Sequence, residues 1–294
     1  MNLHALRQFT SVVQTGSVTN AAKALHISQP AITMQIRNLE KELGVTLFRA
    51  KGRGIQLTDA GEFIYQEARK LFSVEEEVER KIEQYTNGVT GKVRLFATNF
   101  PASYLVPGWI AGFKNLYPSV DIDLSSGHTE RAIEKLKTYE VDIAIIASHF
   151  PIPDDIETTS LLKDELSFIV PKNHPLASGV VEFNDLTDET FILRGEGSST
   201  KALVESLCRV RQIRLKKEPV KVERMEEAVK IVASGYGITL APTLVIAPYL
   251  EEEQIDIVQL KDVQISREIK LCLRKGDSLA PVAGNLRDFI LQEK

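Results

Sequence analysis

GSVTNAAKALHISQPAITMQIRNLEKELG, residues 16–44, reads as two short helices joined by a tight turn. Ser17 is placed to cap the first helix, which carries Ala21, Ala22 and Leu25 on one face. His26, Ile27 and Ser28 make the turn. Ser28 caps the second helix, and Pro30 falls in its first turn, where a missing N–H costs little. Ile32, Ile36, Leu39 and Leu43 then form one apolar face at i, i+4, i+7 and i+11. The opposite face carries Pro30, Thr33, Met34, Arg37 and Lys41, with Gln29 and Glu40 on its flank. A small, polar, partly basic face on a short helix suits a DNA major groove. The plainer reading is a helical hairpin with a solvated face, and the neighbourhood weakens it.

Residues 1–58 hold seven Lys/Arg and two acids, a net +5 in a chain whose formal total is −4. Charge segregated this way points to a polyanion partner at this end. The segment LFRAKGRGIQLT, residues 47–58, sets two hydrophobic runs around a basic Gly turn, as in a hairpin with three cations at its tip. Helix-turn-helix plus basic hairpin describes a winged helix.

These residues resemble the LysR-type transcriptional regulators. The likeness lies in Phe9, Gly16-Ser17, Ala21-Ala22, Leu25, Ser28-Gln29-Pro30-Ala31, Ile36, Leu39-Glu40, Leu43-Gly44, Leu47-Phe48 and Leu57-Thr58-Asp59-Ala60-Gly61. Two positions depart from the family pattern. Thr33 stands where Ser is usual, which keeps the hydroxyl. The wing reads LFRA where LFxR is typical, so Ala50 holds the usual Arg position and Arg49 comes one residue early. Lys51 and Arg53 are the candidates to replace that phosphate contact. The resemblance implies that Ser28, Gln29, Pro30, Thr33, Met34 and Arg37 face DNA, with Lys51 and Arg53 on phosphate.

At 294 residues the chain has room for two or three domains, and 43% hydrophobic content builds real cores. No run of eighteen apolar residues exists and the N-terminus does not read as a signal peptide, so neither a membrane partner nor export is expected. Two cysteines fit a reducing cytosol.

Residues 3–14 form a first helix, with Leu3, Leu6, Phe9, Val12 and Val13 inward. After the wing, Thr58 or Asp59 caps a long helix to about Tyr85. Ile64, Leu71, Val78 and Tyr85 recur every seven residues, with Ala68, Val74 and Ile82 between, a heptad-like seam. This reads as a dimerisation helix or as one packed on its own domain. Dimerisation is favoured, because so long a helix has little adjacent chain to cover its seam. NGVTG, 87–91, reads as a hinge.

Beyond it strands and helices alternate: strands at 92–98, 120–124 and 141–147, helices at 103–116 and 129–139. Apolar strands in such alternation imply a parallel sheet covered on both faces. A second similar unit starts around 161–171, with strands at 191–193, 220–222 and 238–241 and helices at 200–211 and 225–234. Residues 268–274 and a helix at 279–292 return to the first unit. The fold class is therefore α/β with a winged-helix N-terminal domain: 1–58 DNA-binding, 59–87 linker and dimerisation helix, 88–294 effector-binding. Its two lobes, about 91–161 with 267–294 and about 162–266, resemble type 2 periplasmic binding proteins. With 25 bases against 30 acids, residues 91–294 are not expected to touch DNA.

In open α/β units ligands sit beyond the carboxyl ends of strands, at helix N-termini. Four loops qualify: 98–103, 125–129, 147–149 and 194–201. Each alone reads as plain N-capping, but together they suggest a pocket, and the family resemblance implies a small, often carboxylate-bearing effector there. The hydrogen-bonding candidates are Thr98, Asn99, Thr129, Ser148, Ser198, Ser199 and Thr200. Phe100 stands where the family often carries a hydroxyl. Arg194 and His128 read either as anion partners or as surface residues.

Cys208 and Cys272 read as buried structural thiols. Five scattered histidines support no metal site, and no nucleophile elbow, P-loop or dinucleotide fingerprint appears, so neither enzyme activity nor a cofactor is expected. The leading expectation is a cytoplasmic, sequence-specific regulator binding double-stranded promoter DNA as a homo-oligomer, dimeric through 59–87 and tetrameric by resemblance, with RNA polymerase as a candidate partner. A small anionic effector alters lobe closure and so the bend in the DNA. A solute-binding protein built on 91–294 is the alternative. The basic winged helix argues against it.

Overall fold

Asn2, Ser17 and Ser28 cap the first three helices with their own side chains, each accepting a backbone N–H two or three residues on. A computed structural model describes residues 2–51, 54–87, 90–148, 151–261 and 263–293, without the side chains of 50, 51, 54 and 83–87. The chain forms two units, residues 1–82 with 138–140, and residues 83–137 with 141–294.

The first unit holds α1 (Leu3–Thr15), α2 (Val18–Ala24), α3 (Gln29–Leu43), the strands β1 (Phe48–Lys51) and β2 (Gly54–Leu57), and α4 (Asp59–Asn87), which runs on into the second. Its core is Leu6, Phe9 and Val12 from α1, Ala21 and Ala22 from α2, Ile32, Ile36 and Leu39 from α3, with Leu47 and Ala68. The β1–β2 hairpin is antiparallel with Phe48 opposite Leu57 and Lys51 opposite Gly54. Thr58 caps α4 by accepting from the Gly61 N–H at 2.9 Å. A Cβ on Gly61 would fall 2.1 Å from the Leu47 carbonyl oxygen, so only glycine lets α4 approach the base of the wing.

The second unit contains β3 (Gly91–Thr98), α5 (Asn99–Tyr104), α6 (Val106–Leu116), β4 (Val120–Gly127), α7 (Thr129–Lys137), β5 (Ile143–Ser148) and β6 (Ile156–Pro171). There follow β7 (Val180–Val181), β8 (Ile192–Arg194), α8 (Ser199–Val210), β9 (Val220–Val222), α9 (Met225–Ala233), β10 (Thr239–Pro242), α10 (Thr243–Glu251), β11 (Ile255–Leu260), β12 (Ile265–Arg274) and α11 (Pro281–Gln292). The main sheet runs β4-β3-β5-β12-β6-β11-β7, with β10 also on β6 and a separate β8-β9 pair. Lobe I is built on β3, β4 and β5, lobe II on β8 to β11, and β6 and β12 run through both.

The sheet corrects the all-parallel expectation. β3 is parallel to β4 and β5, but β12 lies antiparallel between β5 and β6, and β6 is antiparallel to β10 and β11. Apolar runs report burial on both faces, not direction. Element boundaries also move, and two elements were missed. The helix expected at 103–116 begins at Asn99, because Pro101 sits in a first turn that needs no N–H from it, and breaks at Leu105, where Pro107 falls in the first turn of α6. The strand expected from 161 begins at Ile156, whose next four residues, Glu157 to Ser160, are polar and exposed or half-buried and so gave no strand signal. α10 was not anticipated, since Pro248 lies inside it, and β11 was missed with it.

Candidate DNA-reading face and effector cleft

On α3 the apolar face is spent on the core, which turns Gln29, Pro30, Met34, Arg37 and Lys41 outward. Met34 is 58% exposed, a large apolar side chain held out beside polar ones. Gln29 accepts from the Thr19 hydroxyl at 3.3 Å, which ties α2 to the start of α3. Thr33 is half-buried and donates to the Gln29 carbonyl at 3.0 Å, while the Ser28 hydroxyl accepts from the Ala31 N–H at 3.3 Å. Glu40 does not flank this face. Its carboxylate accepts from the Leu47 and Phe48 N–H groups at 2.7 and 3.3 Å and fixes the base of the wing. Arg7 pairs with Glu75 and lies 4.2 Å over the Phe72 ring, so it packs on α4. Arg49 is exposed. Arg53 lies outside the described residues, as does the side chain of Lys51.

Between the lobes of the second unit is a cavity of about 420 Å³, lined by Asn99, Phe100, Ser103, Tyr104, Ser126, Arg194, Arg224, Met225, Glu226, Pro242 and Arg267. Beside it is a narrow space of about 20 Å³ with Thr98, Asn99, Phe100, His128, Thr129, Arg194, Ser198, Ser199 and Arg267 in its wall. Asn99, Phe100, Arg194 and Arg267 belong to both. The small space closes where the lobes touch. Gly197, at φ +75°, lies against His128, whose Cγ would be 3.0 Å from a Cβ there.

Arg267 projects from β12, 4% exposed, and Arg194 ends β8, 7% exposed. The Arg267 Nε donates to Asp164 Oδ2 at 2.7 Å, Nη1 donates to the Ser199 hydroxyl at 2.5 Å, and the guanidinium lies 5.1 Å from the Phe100 ring centre. Its Nη2 is 2.7 Å from the same Asp164 oxygen but makes no aligned hydrogen bond. Arg194 donates from Nε to the Glu223 carbonyl at 3.3 Å. Burial and then the charge of Arg267 lower the Arg194 pKa, against a pull from Glu226, Glu223 and Glu227. Two buried guanidiniums thus repel each other at a solvent-reachable wall, and burial also raises the Asp164 carboxyl against the pull of Arg267. An anion placed there relieves the repulsion between the guanidiniums.

The remaining expected residues fall as follows. Thr98 faces the small space, but its hydroxyl accepts from the Ala147 N–H at 2.9 Å and joins β3 to β5. Ser148 lines an outer opening shared with His128, Thr129, Ser198 and Ser199. Thr200 lines neither compartment. It is buried with its hydroxyl 3.0 Å from that of Ser198. The serine of the 147–149 loop is thus described, while His149 lies outside the described residues. Among the described residues no group of three or more His, Cys, Asp or Glu is gathered for a metal.

A family model described as "LysR substrate binding domain" matches residues 86–294, and one described as "Bacterial regulatory helix-turn-helix protein, lysR family" matches residues 3–62. The chain belongs to the LysR family of transcriptional regulators. The RuBisCO operon transcriptional regulator of Allochromatium vinosum is 29% identical to it over 100% of this chain and 96% of the relative. The full-length CbnR complexed with its target DNA has the same fold, with a TM-score of 0.73 at 22% identity over 100% of both chains. The effector-binding domain of QuiR in complex with shikimate matches 69% of this chain and 97% of its own, with a TM-score of 0.60 and 26% identity. This LysR-type chain is a transcriptional regulator with an effector-binding domain and not an enzyme. Among its described residues no helix is long and apolar enough to cross a membrane.

Arg267, Tyr104, Glu226 and Arg224 are cleft residues that reading the LysR-type sequence missed, while Ser103 and Ser126 fall in two of its four loops without having been singled out. For Arg267 a signal existed. Ile265, Arg267, Ile269 and Leu271 share one face of β12 at a spacing of two, and the other three are buried apolar residues. A cation on that face is a functional candidate.

Proposed function

We propose that this regulator binds double-stranded promoter DNA through residues 1–58 and responds to a small anionic metabolite held between the lobes of residues 88–294, with residues 59–87 as the linker and dimerisation helix. The observation that carries the effector reading is the pair of buried guanidiniums, Arg194 and Arg267, on the shared wall of two compartments, with Asp164 bonded to Arg267 alone of the two. The hydroxyls of Thr129, Ser198 and Ser199, with Thr98, Asn99 and His128, surround the anionic group, and the body of the ligand fills the larger space, whose size is ordinary for a small-molecule site. Phe100 floors both. Ser148 stands at the outer entrance. The shikimate in the related QuiR domain supports a carboxylate in this cleft.

Gln29, Pro30, Met34 and Arg37 read bases, with Ser28, Thr33, Lys51 and Arg53 supporting or touching phosphate. The protein works in the cytoplasm as a homotetramer built from α4-paired dimers, and RNA polymerase is a candidate partner. The effector reading is tested by thermal denaturation of the full-length protein with carboxylates and phosphorylated acids. At about one hundred times its dissociation constant a true ligand adds roughly 2.7 kcal/mol to stability, and Arg194→Gln abolishes the shift. A shift that survives in that variant sinks the assignment. For DNA, Arg37→Ala on a mapped operator loses about 1–3 kcal/mol if Arg37 reads guanine. A uniform loss over all sequences with a smaller salt slope would make it a phosphate contact, and unchanged affinity would remove it from the interface.

A further inference from the structure

Glu226 stands in the first turn of α9 and lines the larger compartment together with Arg194 and Arg267. It is half-buried, and the Tyr104 hydroxyl donates to its Oε1 at 3.0 Å from the opposite lobe. A carboxylate offers about four acceptor sites, so one donor from Tyr104 leaves capacity facing the ligand. Asn99, Ser103 and Ser126 add further polar groups to the same wall. The third cation of the compartment, Arg224, is exposed at the mouth and close to Glu227, whose carboxyl is held low first by the Arg224 N–H and also by the Arg224 and Arg194 charges. The compartment therefore offers two buried guanidiniums and, within electrostatic reach of Arg194, a carboxylate acceptor in the same space.

We propose that the effector is an acid with a single anionic group whose body carries a hydroxyl or ammonium donor, and that Glu226 selects for that donor and against a second anionic group. This rests on the anion reading of the cleft given above. A donor meets a charged acceptor that is otherwise left underused in a partly dry site. A second carboxylate meets like charge there.

The test is calorimetric titration of the full-length protein with four acids on one ring: cyclohexanecarboxylate, its 4-hydroxy and 4-amino derivatives, and cyclohexane-1,4-dicarboxylate. The hydroxy and amino acids are expected to bind about tenfold tighter than the unsubstituted acid, the size of a charge-assisted hydrogen bond, and the dicarboxylate weakest. In Glu226→Gln the amino acid loses its advantage and the dicarboxylate gains. A dicarboxylate that binds the wild-type protein as well as the hydroxy acid overturns the proposal, as does an unchanged ranking in the variant. Should Glu226→Gln fail to fold, the wild-type ranking decides alone. If all four bind alike, the anion reading stands and only the donor preference falls. If none binds, both fall together.

Discussion

Arg267 shows what one buried charge asks of its surroundings. Removing it from water is costly, and the cost is met by Asp164, the Ser199 hydroxyl and the face of Phe100. Arg267→Met would strand the Asp164 carboxylate, so a loss of about 3–5 kcal/mol of stability is expected in denaturant titrations. Adding Asp164→Leu should recover most of the stability without restoring anion binding. Recovery of binding would show that the guanidinium is structural only. Arg194 was legible as the first residue of a helix-start loop rich in Ser and Thr. Arg267 was not, because the last strand was begun at residue 268, one residue too late to show the alternation that buries it.

Cys272 makes a second case at this scale. Burial pushes its thiol up to about 12, and Cys208 is raised by burial and then by Glu205. A raised thiol pKa keeps the unreactive form. The stability Cys272 contributes is complete below the ordinary thiol value near 8.5 and is lost as pH climbs from there towards 12. Iodoacetamide at pH 8 should label the half-buried Cys208 first and leave Cys272 untouched until the protein unfolds, as read by peptide mass. Labelling of Cys272 in the folded protein would contradict its burial.

Among the elements, α4 divides its seam between two uses. Ile64 and Ala68 pack into the N-terminal core, while Leu71, Val74, Val78 and Ile82 are exposed, Val78 at 50% and Ile82 at 59%. These four lie on one face at i, i+3, i+7 and i+11. If a second chain covers that face, Val78→Glu should lower the mass in sedimentation equilibrium and weaken operator binding together. An unchanged mass would leave the face without a role in assembly. The heptad spacing made the seam legible. The N-caps of α2 and α3 were legible too, because Ser17 and Ser28 carry their geometry in their own chemistry. α5 was not, since an Asn-Phe-Pro run reads as a loop unless the proline is known to fall in a first turn.

For the whole molecule, alternating strands and helices were enough for the α/β class and for two lobes, and not for sheet direction. Direction depends on how strands are connected, and β12 comes back to pair with β5 and β6 from the far end of the chain. The cleft was legible as a set of helix-start loops and only half legible as a site. Its lobe I and lobe II hydroxyls follow strands, while the hydrogen bond from Tyr104 to Glu226 joins residues far apart in sequence.

β6 and β12 pair from Ile156 opposite Arg274 to Leu166 opposite Ile265, with one register shift at Ile269–Lys270, and one apolar core takes in both lobe I and lobe II residues. Neither lobe owns all the hydrogen bonds that close its sheet. The two lobes therefore have no separate melting points to display. In scanning calorimetry this unit should absorb heat in one cooperative transition, and a ligand that grips a single lobe will protect the other against unfolding by the same amount.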